Sequence, residues 1–143
     1  MSKTTESGFY GHVRSGLGKV GHVSRVESSA ASGMPDVSFA ARGREAWLEL
    51  KVEKPGCKLY FELSQPLWMR ERVRVGVTPW ILWLSYDESW VYLAKAQTLL
   101  LAEKEYKREQ VVVKSEYLKD HAWKRRLVPW REIADVILGD KVP

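Results

Sequence analysis

The stretch Trp47-Leu48-Glu49-Leu50-Lys51-Val52 constrains the fold more than any other part of the chain. Side chains along a strand alternate between faces, so Leu48, Leu50 and Val52 share one wholly apolar face. Trp47, Glu49 and Lys51 share the other. An apolar face this clean belongs against a core, and a strand deep in a sheet normally carries apolar residues on both sides. Glu49 and Lys51 in such a place cost desolvation unless they meet partners or a metal ion.

The residues before this strand complete a hairpin. Val37 to Ala41 reads as a strand, Arg42-Gly43-Arg44 is turn chemistry with Gly43 supplying a permissive backbone, and Ala46 to Val52 returns. Asp36 opens the first strand and Glu49 lies near the middle of the second. Antiparallel pairing can bring them to neighbouring positions, where two carboxylates and one ammonium converge. Oxygen ligands of this kind suit Mg²⁺ or Mn²⁺ and not Zn²⁺. No His/Cys cluster competes, since His12, His22 and His121 are isolated and Cys57 is the single cysteine.

Such a set fits phosphodiester hydrolysis. A metal held by Asp36 and Glu49 would polarise the phosphate and lower the pKa of a bound water. Lys51 could orient or help deprotonate that water, or stabilise the pentacovalent state by charge, and the residues leave these roles open. Taken singly, Pro35-Asp36 is a common turn and Glu-x-Lys a common solvated strand. Their order across one hairpin, with an apolar opposite face, favours a site.

The remaining chain reads as one α/β domain of 143 residues, large enough to bury a core without disulfides. Residues 1–8 are polar and expected to fray. Phe9 to Leu17 suggests a short helix weakened by Gly16 and Gly18, Val23 to Val26 a short strand, and Ser28 to Gly33 a small-residue loop. Lys54-Pro55-Gly56 breaks the pattern, and Ser64-Gln65-Pro66 starts a helix expected to run to Val75 and end at Gly76. Pro79 to Tyr86 reads as a buried strand, Asp87-Glu88-Ser89 as a turn, and Trp90 to Ala94 as the returning strand. Gln97 to Tyr106 looks helical, and 107–128 has no clear period. Pro129 to Leu138 closes as an amphipathic helix with Trp130, Ile133, Ala134, Ile137 and Leu138 inward. The order is roughly α-β-β-β-α-β-β-α, best packed as a central mixed β-sheet flanked by α-helices. Trp80, Trp83 and Trp90 are expected to pack the sheet or a subunit contact.

Charge points to a polyanionic partner. The chain has 23 basic and 18 acidic residues, a formal +5. The excess is strongest from Lys51 to Gly76. Arg70, Arg72 and Arg74 lie on the helix that Gln65 opens, and Arg70 and Arg74 are one turn apart, with Glu71 partly neutralising them. Such a cluster attracts DNA phosphates. Lys124-Arg125-Arg126 could grip a distant arm, and Lys54 and Lys58 could touch phosphate beside the charged strand. MSKTTESGFY lacks a signal-like apolar run and Val77 to Leu84 is too short to span a bilayer, so a cytoplasmic protein with no membrane partner is expected.

Gly33-Met34-Pro35-Asp36, then Glu49-Leu50-Lys51, then Gln65 resembles the PD-(D/E)xK nuclease superfamily, with its restriction-endonuclease-like core, and more closely the virus-type replication-repair nuclease (VRR-NUC) domain family. The likeness runs from about Arg25 to Gly76. It implies that Asp36 and Glu49, with the Leu50 backbone carbonyl, bind Mg²⁺ (or Mn²⁺), that Lys51 is the catalytic lysine, and that Gln65 reaches toward the site. Gln65 could equally cap its helix. Glu27 sits where such nucleases often place another acid for a second metal or a water, or is a surface carboxylate. A further acid is common in the first helix of the family, and Phe9 to Leu17 lacks one. The resemblance implies a bacterial or phage-encoded enzyme that cleaves branched DNA, for a small stand-alone member a homodimeric Holliday-junction resolvase. Flap-cutting, nicking or restriction-like nucleases of the same fold, and a non-catalytic DNA-binding module, are the alternatives.

Overall fold

In the computed structural model the described residues are 3–26 and 33–139. Glu27 and most of the small-residue loop expected over 28–33 therefore lie outside them. The elements are α1 (Glu6–Leu17), β1 (His22–Arg25), β2 (Val37–Ala41), β3 (Arg44–Val52), β4 (Lys58–Glu62), α2 (Ser64–Arg74), β5 (Trp80–Leu84), β6 (Trp90–Lys95), α3 (Ala96–Leu101), β7 (Glu105–Lys107), β8 (Gln110–Lys114), β9 (His121–Lys124) and α4 (Trp130–Ile137). Short 3₁₀ turns cover Ser115–Tyr117 and Arg125–Leu127.

Six strands form a mixed sheet in the order β1-β2-β3-β5-β6-β9, in which only β3 and β5 run parallel. The charged strand β3 is thus central. Its apolar face, Leu48 and Leu50, joins Leu82, Leu84, Val91 and Leu93 beneath α1 and α4. The opposite face meets a second core. There Ile81 and Trp83 pack against Met69 of α2, Leu99 of α3, and Leu59, Phe61 and Val111 of a small β4-β8-β7 sheet. Each fully buried Leu or Ile contributes roughly 1.5–3 kcal/mol, so both faces of β3 are held by substantial burial. Glu53, past the end of β3, is buried too and accepts from Trp83 Nε1 (3.3 Å) and the Tyr86 N–H (2.8 Å). That satisfies its carboxylate in a structural role.

Several expectations need correction. Helix α1 starts at Glu6, within the stretch expected to fray, because the Thr5 side chain caps it by accepting from the Gly8 N–H (3.1 Å). Gly16 does not break the helix. It is the point where the Trp130 ring of α4 lies, and a Cβ would collide with that ring. Helix α3 stops at Leu101, not at Tyr106, as Ala102 turns extended and Lys104 Nζ donates to the Leu100 and Ala102 carbonyls. Glu105 to Lys107 is a strand instead. The unassigned region 107–128 holds β8 and β9, and β4 follows the Lys54-Pro55-Gly56 break. Helix α2 begins at Ser64 without a side-chain cap at Leu63. Helix α4 buries Ile133, Ala134, Ile137 and Leu138, with Trp130 packed at its edge. Among the described residues no helix is long and apolar enough to cross a membrane.

Candidate metal and catalytic site

The β2–β3 register sets Val37 opposite Leu48, so Asp36 falls beside Glu49. Strand β2 ends there, and among the described residues β3 continues with no strand neighbour on that side. Asp36 fills the gap: its Oδ1 accepts from the Leu50 N–H at 2.9 Å, while its own carbonyl accepts from the Val26 N–H at 2.8 Å. A strand residue points its N–H and C=O to the same side, so the Leu50 carbonyl also faces the Asp36 edge. Gly33, at φ +85°, presses its α-carbon against the Ser64 backbone, and a Cβ would collide with the Ser64 carbonyl. That close approach sets the loop carrying Asp36 against the start of α2.

Glu49 is 3% and Lys51 8% exposed. Lys51 Nζ lies 3.4 Å from Glu49 Oε2 and donates to Gln65 Oε1 at 3.2 Å. The Gln65 Nε2 donates to Glu49 Oε2 at 2.9 Å, and Oε1 also accepts from the Glu62 N–H at 2.9 Å. Gln65 thus bridges Glu49 to Lys51 and ties itself to the last residue of β4, while the N-terminus of α2 has no side-chain cap. Lys51 Nζ also sits 4.9 Å over the Phe61 ring.

Burial pushes the Glu49 carboxyl up to about 8, the charge of Asp36 adds to that, and Lys51 opposes it. Asp36 is also raised, burial outweighing the Leu50 N–H. Glu49 Oε1 is buried with no hydrogen-bond partner among the described residues. Two adjacent carboxyls that resist ionisation, one with an orphaned oxygen, match a hard divalent cation, which would favour their charged forms and accept the unused lone pair of that oxygen. Among the described residues no group of three or more His, Cys, Asp or Glu is placed to hold a metal. The pair plus the Leu50 carbonyl suits Mg²⁺, which keeps several waters in its shell.

These groups open into a cavity of about 660 Å³. Sequence reasoning missed two acids that line it, Glu62 of β4 and Glu6. Glu6 sits in the first turn of α1, and its charge helps raise both Asp36 and Glu49. The first helix thus does carry an acid at the cavity wall, just before the stretch Phe9 to Leu17. The signal was Thr5-Glu6, a capping residue followed by an acid. Tyr60 and Gln110 also line the cavity, from elements absent from the sequence reading.

The expected basic groups do not gather here. Arg70, Arg72 and Arg74 are exposed on α2 and outside the cavity; Arg72 lies over the Trp68 ring at 4.5 Å, and Arg74 pairs with Glu71 at 3.3 Å. Lys54 and Lys58 bridge their backbones, and Lys58 lines a separate pocket with Lys104 and Tyr117. Lys124, Arg125 and Arg126 border a third cavity of about 820 Å³ near His12 and Trp90, where Arg125 pairs with Glu88 at 3.1 Å.

No protein-family model and no curated protein matches this sequence. A solved structure does. Hjc, a Holliday junction resolvase from the archaeal hyperthermophile Archaeoglobus fulgidus, matches with a TM-score of 0.58 and 14% identity, over 96% of this chain and 98% of that one. The fold of this chain is therefore resolvase-like, the restriction-endonuclease-like arrangement of a central mixed sheet flanked by helices. At this identity the likeness speaks for the fold alone.

Proposed function

We propose that this chain is a single-domain, divalent-metal-dependent DNA endonuclease that cuts branched DNA, with a homodimer presenting two sites to a four-way junction. The carrying observation is the buried Asp36–Glu49 pair, with the unpartnered Glu49 Oε1 and an ammonium 3.4 Å from the other oxygen. The resolvase-like fold supports the reading, since the archaeal protein of that fold is a Holliday junction resolvase. The Gly33–Asp36, Glu49–Lys51 and Gln65 pattern supports a VRR-NUC-like member.

Asp36, Glu49 and the Leu50 carbonyl would hold Mg²⁺ or Mn²⁺, which supplies Lewis-acid polarisation of the phosphate and a more acidic water. Glu6 stands at the cavity wall as a further acid, the place the resemblance left for Glu27 or for a helix residue. Gln65 keeps Glu49 and Lys51 at set distances, which would leave Glu49 Oε1 available to the metal and Lys51 Nζ available to the phosphate. Lys51 stabilises charge that grows on the phosphate oxygens. A labelled four-way junction, a flap and plain duplex, each incubated with Mg²⁺ and with EDTA, test the proposal. Junction cutting in Mg²⁺ alone is expected. Failure to cut any of the three would sink it, and preferential cutting of the flap would replace the junction as substrate. Light scattering at micromolar concentration reads the dimer.

A further inference from the structure

An acidic cavity cannot hold a polyanion without nearby cations, and the basic groups on α2 and on 124–126 lie elsewhere. Among the described residues, the basic groups on the cavity wall are Lys51 and Arg25. Arg25 ends β1, 3.4 Å from Ser7 Oγ and 4.9 Å over the Tyr10 ring, contacts weak enough to release its guanidinium.

On the other side the wall runs into the β7–β8 hairpin. Glu62 and Gln110 face one another across the β4–β8 ladder, and both line this cavity and an adjoining one of about 530 Å³ that Lys107, Arg108 and Glu109 complete. The two spaces meet along that one rung. The hairpin tip is anchored to the site, because the Leu63 N–H donates to the Glu109 carbonyl at 2.8 Å and Leu63 begins the helix that carries Gln65. Lys107 is answered by Glu105 at 3.7 Å. Arg108 makes no hydrogen bond or ion pair with a described residue. It also holds φ +56° at the turn, where glycine or asparagine is the ordinary occupant. Placing an arginine there costs conformational energy, and no hydrogen bond or ion pair with a described residue offsets it.

We propose that Arg25 and Arg108 are the backbone-binding residues flanking the site, so that a DNA strand crosses from the β1 end, over Asp36 and Glu49, to the tip of the β7–β8 hairpin. This rests on the nuclease reading and adds the path of the strand. Glu62 and Glu109 share the far wall, so a phosphate there depends on the Arg108 charge.

The test measures affinity of the full chain for a labelled four-way junction as a function of salt, with Ca²⁺ in place of Mg²⁺ to limit turnover. Arg108→Gly and Arg25→Gln are each expected to weaken binding about tenfold at low salt and to lower the slope of log affinity against log salt by about one. Glycine is at ease at φ +56°, so Arg108→Gly should match or exceed the parent in thermal stability, which separates lost binding from lost fold. Unchanged affinity and slope in both variants would overturn the path. So would a larger slope loss in Arg70→Gln or Arg74→Gln, which would move the strand to α2. If the unsubstituted chain neither binds nor cuts DNA, the nuclease reading falls and the path with it. If it binds and cuts while Arg108→Gly behaves the same, the path alone falls.

Discussion

Arg42 and Arg108 take the first turn position of two hairpins, β2–β3 and β7–β8, and both hold φ of 56°. Their surroundings differ. Arg42 Nη1 is bound to Asp135 Oδ1 of α4 at 2.6 Å, and behind it the strands run into the core. Arg108 has no such partner among the described residues, and the residues of β7 are exposed along its length. One hairpin is stapled at its exposed tip by a side-chain ion pair and is buried from Ala46 onward, where it positions the two acids. The other is tied at its tip only by backbone, the Leu63 N–H donating to the Glu109 carbonyl, and the Arg108 side chain lines the space next to those acids. A metal site needs the first kind of support, since small displacements of a ligand are costly. A phosphate contact can be made by the second kind, as a flexible guanidinium finds its own geometry.

The largest effect is expected inside the buried hairpin. Glu49→Gln and Lys51→Ala should each lower single-turnover cleavage by roughly 10³-fold while leaving the circular dichroism spectrum unchanged. Normal cutting by Lys51→Ala would remove the catalytic assignment from β3. Next comes the loop that feeds it. Gly33→Ala meets the Ser64 backbone and a strained φ, so about 1–3 kcal/mol of stability should be lost in chemical denaturation. Cleavage should fall with it as Asp36 is displaced from Leu50.

The raised carboxyls predict a pH dependence. Glu49 keeps its proton up to about pH 8, whereas the unfolded chain loses it near 4.5. The folded state binds the extra proton, so this group's contribution to stability falls as pH rises from about 4.5 to 8 and levels off above. Glu49→Gln lacks that loss, and its melting temperature relative to the parent should climb across the same window. Metal binding must expel the proton, so Mg²⁺ affinity should rise with pH up to about 8, with proton release visible by calorimetry in buffers of different ionisation enthalpy. Affinity independent of pH between 6 and 8 would dissociate the ion from Glu49. The smallest effect is expected at the stapled tip. Arg42→Ala removes a partly exposed ion pair worth about 0–1 kcal/mol, and junction affinity should barely change. A binding loss as large as that of Arg108→Gly would erase the contrast between the hairpins.

Much of the site was legible because its signals are local. The alternation in Trp47 to Val52 depends on strand geometry alone, and it put Glu49 and Lys51 on one face before any neighbour was known. Gln65 was readable from its place before Pro66 at a helix start. The elements that escaped had weak local signals. Leu59 and Phe61 of β4 do alternate, but the strand is short and follows a Pro-Gly break. The exposed Glu105 to Lys107 has no apolar period, and its strand exists because Val111 and Val112 of β8 offer it a ladder.

By itself the sequence determined that one face of β3 is apolar and the other carries two charges, that Asp36 precedes it by a hairpin, and that a helix opening at Ser64-Gln65 follows. These rest on chain stereochemistry and on the cost of burying charge. Only the tertiary structure decided which groups share the cavity. It brought Glu6 to the acids, kept the α2 arginines and Lys124 to Arg126 away from them, and set Arg25 and Arg108 on opposite sides. The reason is physical: a cavity wall is assembled from strands and helices distant in sequence, and their meeting depends on long-range pairings such as Glu62 with Gln110, which no local pattern encodes.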